Sequence, residues 1–180
     1  INIDYNARAL PLDAKFQKLV EKYGFTRPST DAIINISETL KEFHLDRMIS
    51  YGAGKGYVEF LFSQTDLNVV AYDIRASNSW FPVNADITLG EYDLTKSVLL
   101  ISSPDSGLEL ESIEVIKKFR EQGGRYFLHM GVEKDDAHNI FRAPRHFLDF
   151  LKNNLKLVNK WELMEWPGKH SVQTARLFEL

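Results

Sequence analysis

Residues 48–62, MISYGAGKGYVEFLF, set three glycines, Gly52, Gly54 and Gly56, within five positions between an apolar run and a helical pattern. Glycine destabilises regular elements because it loses the most backbone freedom on folding, so a cluster of three calls for a reason. Where a strand feeds directly into a helix, the loop presents backbone N–H groups, and small residues let a ligand reach that backbone. The alternative is a tight strand-to-helix turn that binds nothing.

Working outward, the hydrophobic period changes on either side of the loop. RMISY is short and apolar, YVEFLFSQ is helical, and NVVAYD is a β-branched run with an acidic end, which reads strand, helix, strand. Further on, SVLLIS reads as a buried strand, LELESIEVIKKFREQGG as a helix closed by glycines, and RYFLHMG as another strand. Such alternation predicts an α/β fold, a parallel sheet with covering helices.

Two amphipathic helices precede this core. PLDAKFQKLVEKYG carries Leu12, Phe16, Leu19 and Val20 at helical spacing, and in RPSTDAIINISETLKEF a cap is available from Ser29 or Thr30. A helix around APRHFLDFLKNN follows the core strands. The strands LKLVNKWELMEW and SVQTARLFEL, joined at Pro167 and Gly168, then predict an antiparallel hairpin at the sheet edge. At 180 residues, 1–180 is expected to form a single domain, with N-terminal helices in 1–45 and the α/β core in 46–180.

Composition narrows the function classes. Hydrophobic residues at 44% and charged residues at 26% are the mix of a globular chain. The net charge is -3 and Lys and Arg are scattered, so no nucleic acid is implied as a partner. Cysteine is absent, which excludes disulfides and thiolate metal sites, and the expected setting is cytoplasmic. No apolar stretch approaches the roughly 18 residues a membrane span requires, so no membrane association is expected.

Asp73 ends the strand after the glycine loop and follows Gly52 by 21 residues. That matches the interval of about 20 at which a carboxylate accepts hydrogen bonds from both ribose hydroxyls of a nucleotide held over such a loop. A GxGxxG dinucleotide fingerprint would need glycine at position 57, where Tyr57 stands; the spacing is GxGxG.

This segment resembles the nucleoside-binding half of the class I S-adenosylmethionine-dependent methyltransferases. The resemblance runs from RPS to the end. SYGAGKGYVEFL, AYDI, WFPV, a strand ending in SSPD, and EWPGKH together are similar to a little-characterised methyltransferase-like group with GxGYxE, WFPV and WPGxH signatures. It implies a Rossmann-like, mostly parallel seven-stranded sheet with an antiparallel C-terminal hairpin, helices on both faces, and S-adenosylmethionine as cofactor. It also implies a third strand ending in an acid that meets the adenine amino group, a place that VNAD gives to Asp86. The expected cofactor-binding set is Tyr51, Gly52, Ala53, Gly54, Gly56, Asp73, Ile74, Asp86, Ile87, Ser102 and Ser103.

Two features depart from the family pattern. The family places Asp or Glu two residues before the first glycine, supporting the methionine end of the cofactor; this chain has Ser50. The Asn/Asp-Pro-Pro-aromatic signature of amino methyltransferases is replaced by SSPD, which argues against adenine or glutamine N-methylation by that motif. Candidate catalytic groups are Asp105 and, from EKDD after the fifth parallel strand, Glu133. The sulfonium is already activated, so either residue is needed only if the acceptor carries a proton.

His129 reads as a hydrogen-bonded structural residue in an apolar strand. His138, His146 and His170 lack metal-ligand spacing, and no metal is expected. Trp80 with Phe81, and Trp166 with Pro167, read as packing residues, with an aromatic wall for an acceptor as the alternative. Three functions stay open: a methyltransferase acting on a small-molecule or protein acceptor, a non-catalytic methyltransferase-like binding module, and an NAD-dependent oxidoreductase. Oligomeric state is not legible.

Overall fold

The computed structural model describes residues 14–24, 26–75, 80–86, 88–102, 109–132, 143–165 and 172–180. In chain order the elements are α1 (Ala14–Tyr23), α2 (Thr30–Glu42), β1 (Arg47–Tyr51), α3 (Tyr57–Ser63), β2 (Asn68–Tyr72), β3 (Ser97–Ser102), α4 (Glu109–Glu121), β4 (Tyr126–Val132), α5 (Arg145–Asn154), β5 (Lys156–Glu165) and β6 (Val172–Glu179). Ser29 caps α2, its side chain accepting from the Ala32 amide at 3.2 Å, and Asp31 complements the positive end of that helix. Among the described residues no helix is long and apolar enough to cross a membrane.

The sheet runs β2-β1-β3-β4-β6-β5. The first four strands pair in parallel; β6 is antiparallel to β4, and β5 is antiparallel to β6. The residues joining β5 to β6 lie outside the described ones.

Strand residues alternate between two cores, as the two-residue side-chain period requires. Met48, Val98, Leu100, Leu128, Met130, Ala175 and Leu177 pack with α2 and α3 through Ile33, Ile36, Leu40, Val58 and Phe62. Ile49, Leu99, Ile101, Phe127 and Phe178 pack with α4 and α5 through Ile116, Phe119, Phe147 and Leu151. Continuous apolar runs such as SVLLIS follow from this, since a strand covered on both faces has no polar side.

Among the described residues the sheet has six strands, and the seventh expected from the resemblance is not among them. Its place holds one isolated parallel bridge between Tyr72 and Asn84. Asn84 donates its amide to Ala71 O and accepts from the Asp73 amide, both at 2.9 Å. The pairing stops there for local reasons. Pro82 lacks the N–H that a longer ladder would need, and Asn84 and Asp86 belong to the residue types depleted in strands.

Strand order reverses between β1 and β3, with β2 reached on one side and β3 on the other. Open α/β sheets bind ligands in the crevice beyond the carboxyl ends of the strands at such a switch point. Tyr51 pairs with Ile101 at the last rung of β1 against β3, so Gly52 and Ser102 flank the mouth of that crevice.

Candidate functional site

The glycine loop leaves β1 at that point. Gly52, Gly54 and Gly56 all have left-handed backbone, with φ of 76°, 57° and 76°. Gly54 is open to approach, since a Cβ built there meets nothing within 4 Å. Gly56 is closed: its Cβ would lie 2.9 Å from Phe81 Cβ and 3.1 Å from the Phe81 carbonyl oxygen. The cluster of glycines thus answers to backbone conformation, to a close packing contact at Gly56, and to an exposed surface at Gly52 and Gly54.

The loop and the end of β2 form one hydrogen-bonded unit. The amides of Gly52 and Ala53 both donate to Tyr72 O, at 2.8 and 3.1 Å, so the Ala53 amide is directed inward rather than offered to a ligand. The Gly54 amide donates to Asp73 Oδ2 at 2.8 Å, and the Arg75 amide donates to Asp73 Oδ1 at 2.8 Å. Each carboxylate oxygen has two lone-pair sites, so one acceptor position per oxygen remains for a ligand hydroxyl. Beside it Ile74 is 71% exposed, a large apolar side chain at the loop surface.

One acidic residue, the last of the GxGYxE signature, was given no role in the sequence reading and completes this region. Glu59, in the first turn of α3, is fully buried, and Ser50 Oγ donates to its Oε1 at 2.6 Å. Its Oε2 has no hydrogen-bond partner among the described residues. Burial raises the Glu59 carboxyl to about 7; Ser50 and a backbone hydrogen bond oppose the rise, and the Asp73 charge adds to it. Position 50 therefore does have a carboxylate beside it, delivered by the helix instead of the strand. The available clue was that Glu59 is the only charged residue in YVEFLFS and stands between the core residues Val58 and Phe62.

On the opposite face of β1, Tyr51 Oη donates to Glu111 Oε2 at 3.5 Å across the crevice. Burial, then Glu111, then Asp73 hold the Tyr51 hydroxyl above its ordinary pKa. Glu111 was also missed, because nothing local marks a residue near the start of α4 as facing β1. Ser102 closes the β3 side, where its hydroxyl donates to Thr26 Oγ1 at 2.8 Å.

The segment after α1 crosses this end of the sheet. Thr26 meets Ser102, and the Arg27 amide donates to Gln173 Oε1 at 2.9 Å. Trp80 stacks on Tyr23 at 5.5 Å and meets Tyr57 edge-on at 5.1 Å, while its indole N–H donates to Lys22 O at 2.8 Å. Lys55 Nζ donates to Glu21 O. Two carbonyls from the last turn of α1 are thus capped by the glycine loop and by the segment after β2. Trp80 acts as a packing residue in this structure.

Of the remaining expected residues, Asp86 is exposed, and among the described residues the strand that was to present it is reduced to the Tyr72–Asn84 bridge. Ile87, Ser103, Asp105, Glu133, His138, Trp166, Pro167 and His170 lie outside the described residues. His129 is fully buried and meets Phe147 edge-on at 5.4 Å, on the α5 face and away from the loop. His146 is exposed at the start of α5.

The parallel sheet with its terminal antiparallel pair and glycine loop at the switch point is the class I fold of the S-adenosylmethionine-dependent methyltransferases. Among solved structures, an O-methyltransferase from Bacillus cereus in complex with SAH superimposes with a TM-score of 0.55 at 12% identity, over 96% of this chain and 93% of that one. The Burkholderia thailandensis 1,6-didemethyltoxoflavin-N1-methyltransferase, with bound 1,6-didemethyltoxoflavin and S-adenosylhomocysteine, gives 0.52 at 14% identity over 99% and 97%. The N-methyltransferase NodS from Bradyrhizobium japonicum WM9 gives 0.54 at 10% over 93% and 97%. No protein-family model and no curated protein sequence matches the chain.

Proposed function

We propose that this chain is an S-adenosylmethionine-dependent methyltransferase that acts as one methyltransferase-like domain on a small-molecule acceptor in the cytoplasm. The observation that carries the reading is the Gly54 amide bonded to Asp73 Oδ2 at the switch point, which joins loop and carboxylate into one cradle. The residues present fit an adenosyl group with a cationic tail. Asp73 retains acceptor capacity for ribose hydroxyls, Ile74 offers an apolar face to a base, and the open space over Gly54 admits close approach. Asp73, Glu59 and Glu111 give this end of the sheet an acidic character that suits a positively charged ligand.

Bound there, S-adenosylmethionine would supply a methyl group already activated on its sulfonium. The work left to this chain is to hold and orient. Asp73 would fix the ribose, the segment Thr26–Arg27 and the Trp80 cluster would wall the pocket against water, and Ser102 would sit on the acceptor side. Ser103 and Asp105 in SSPD, with Glu133, remain the proposed acceptor-side groups, and Asp86 and Ile87 the proposed adenine-side ones.

Support for a small acceptor is the scattered basic charge and net charge of -3, which offer no track for a polyanion. Similarity to the group bearing GxGYxE, WFPV and WPGxH signatures belongs to the same reading. Calorimetric titration with S-adenosylmethionine, S-adenosylhomocysteine and NAD tests it. Heat is expected from the first two, and binding of NAD alone would overturn the cofactor assignment.

A further inference from the structure

Glu59 is a costly residue to keep where it is. A buried carboxyl with one unpartnered oxygen carries a desolvation penalty in either protonation state, and an apolar side chain of similar volume would fill the same space at less cost. The core that α2 and α3 build is apolar, with Ile33, Ile36, Val58 and Phe62, and has no need of a carboxyl. Among the described residues its one side-chain hydrogen-bond partner is Ser50, two residues before Gly52.

Resting on the methyltransferase reading, we propose that the Glu59 carboxyl, rather than any acid of β1, is the group that receives the cationic amino-acid end of the cofactor. Ser50 holds Oε1, and the unpartnered Oε2 is the acceptor that an ammonium group would satisfy. The relocation explains why β1 can carry serine at position 50. A second carboxylate at position 50 would face Glu59 at contact distance and repel it.

The consequence is a proton linked to binding. Glu59 is held near neutrality in the free protein, chiefly by burial. An arriving ammonium favours its charged form, so the carboxyl O–H releases its proton to solvent water or buffer, and no bond of the cofactor is made or broken. The surrounding charges leave this titration to Glu59. Asp73 at the end of β2 is the anion acting on it. Arg47 and Tyr51 of β1 lie on the other face, engaged with Tyr92 and Glu111. Asp31, Glu38 and Lys41 of α2 and Glu21 and Lys22 of α1 are exposed, and Lys55 is directed to Glu21 O.

The test compares S-adenosylhomocysteine, which has the amino-acid end, with 5′-methylthioadenosine, which lacks it, by calorimetry between about pH 5.5 and 8.5 in buffers of different ionisation heat. Affinity for S-adenosylhomocysteine should rise about tenfold per pH unit below 7 and level off above it, with proton release, while 5′-methylthioadenosine shows no slope. Glu59→Gln, which keeps size and an acceptor for Ser50, should remove both the slope and the released proton. A slope that survives in Glu59→Gln, or a flat profile for S-adenosylhomocysteine on the wild-type chain, overturns the assignment while leaving the methyltransferase reading intact. Failure of both nucleosides to bind at every pH overturns that reading, and this one with it. Should Glu59→Gln not fold, the wild-type comparison of the two nucleosides decides alone.

Discussion

The Gly54 amide and Asp73 Oδ2 lie 2.8 Å apart, so the loop after β1 and the end of β2 are locked into one surface before any ligand arrives. Preorganisation of this kind lowers the ordering cost of binding. Asp73→Ala removes both the ligand acceptor and the anchor of the Gly54 amide. It should weaken S-adenosylmethionine binding by roughly 1.5–3 kcal/mol, the range for hydrogen bonds to a charged group. Calorimetry reads this directly, and unchanged affinity would remove Asp73 from the site.

Gly56 and Gly54 make a paired test of why glycine stands in the loop. Both have positive φ, so alanine at either position bears a left-handed penalty of about 1–2 kcal/mol. Only at Gly56 does the new Cβ also strike Phe81, at 2.9 Å. Gly56→Ala should therefore lower the denaturation midpoint clearly more than Gly54→Ala, and equal losses would show that packing against Phe81 is unimportant.

Glu59 ties stability to pH in a definite direction. Its folded-state pKa, about 7, lies above the ordinary 4.5, so the native state binds the extra proton between those values. The contribution is fully present below about pH 4.5 and is lost as pH rises through about 7. At 1.36 kcal/mol per pH unit, the gap corresponds to about 3 kcal/mol. In urea titrations without ligand, Glu59→Gln should gain stability relative to wild type by up to that amount between pH 4.5 and 8; a constant difference would contradict the raised pKa.

Trp80 joins α1 to the loop through stacking and an indole hydrogen bond. Each aromatic pair contributes about 0.5–1.5 kcal/mol beyond burial, so Trp80→Ala should cost roughly 2 kcal/mol. Amide exchange should quicken over α1 and stay unchanged over α5, whose contacts lie on the other face of the sheet. Equal quickening in both helices would mean that the cluster does not act locally.

Much of this architecture was legible beforehand because its causes are local. The two-face alternation at Met48 and Ile49, and the apolar run Val98–Ile101, follow from side-chain periodicity that any reader of the chain can count. The glycine loop and Asp73 were equally visible, since a strand-turn-helix unit and a carboxylate about 20 residues on are a matter of spacing.

What the chain order does not reveal is set by contacts between distant residues. The resemblance implied a strand ending in VNAD, yet pairing with β2 there ends after a single bridge. Glu59 belongs to a residue type that usually faces water on a helix, and only the rotation of α3 against β1 turns it inward onto Ser50. Trp80 to Lys22 and Ser102 to Thr26 join residues 58 and 76 positions apart. Local propensity thus determined the order of strands and helices and the position of the loop. Packing of whole elements against one another decided which carboxylates meet there, because burial and proximity exist only once the sheet is assembled.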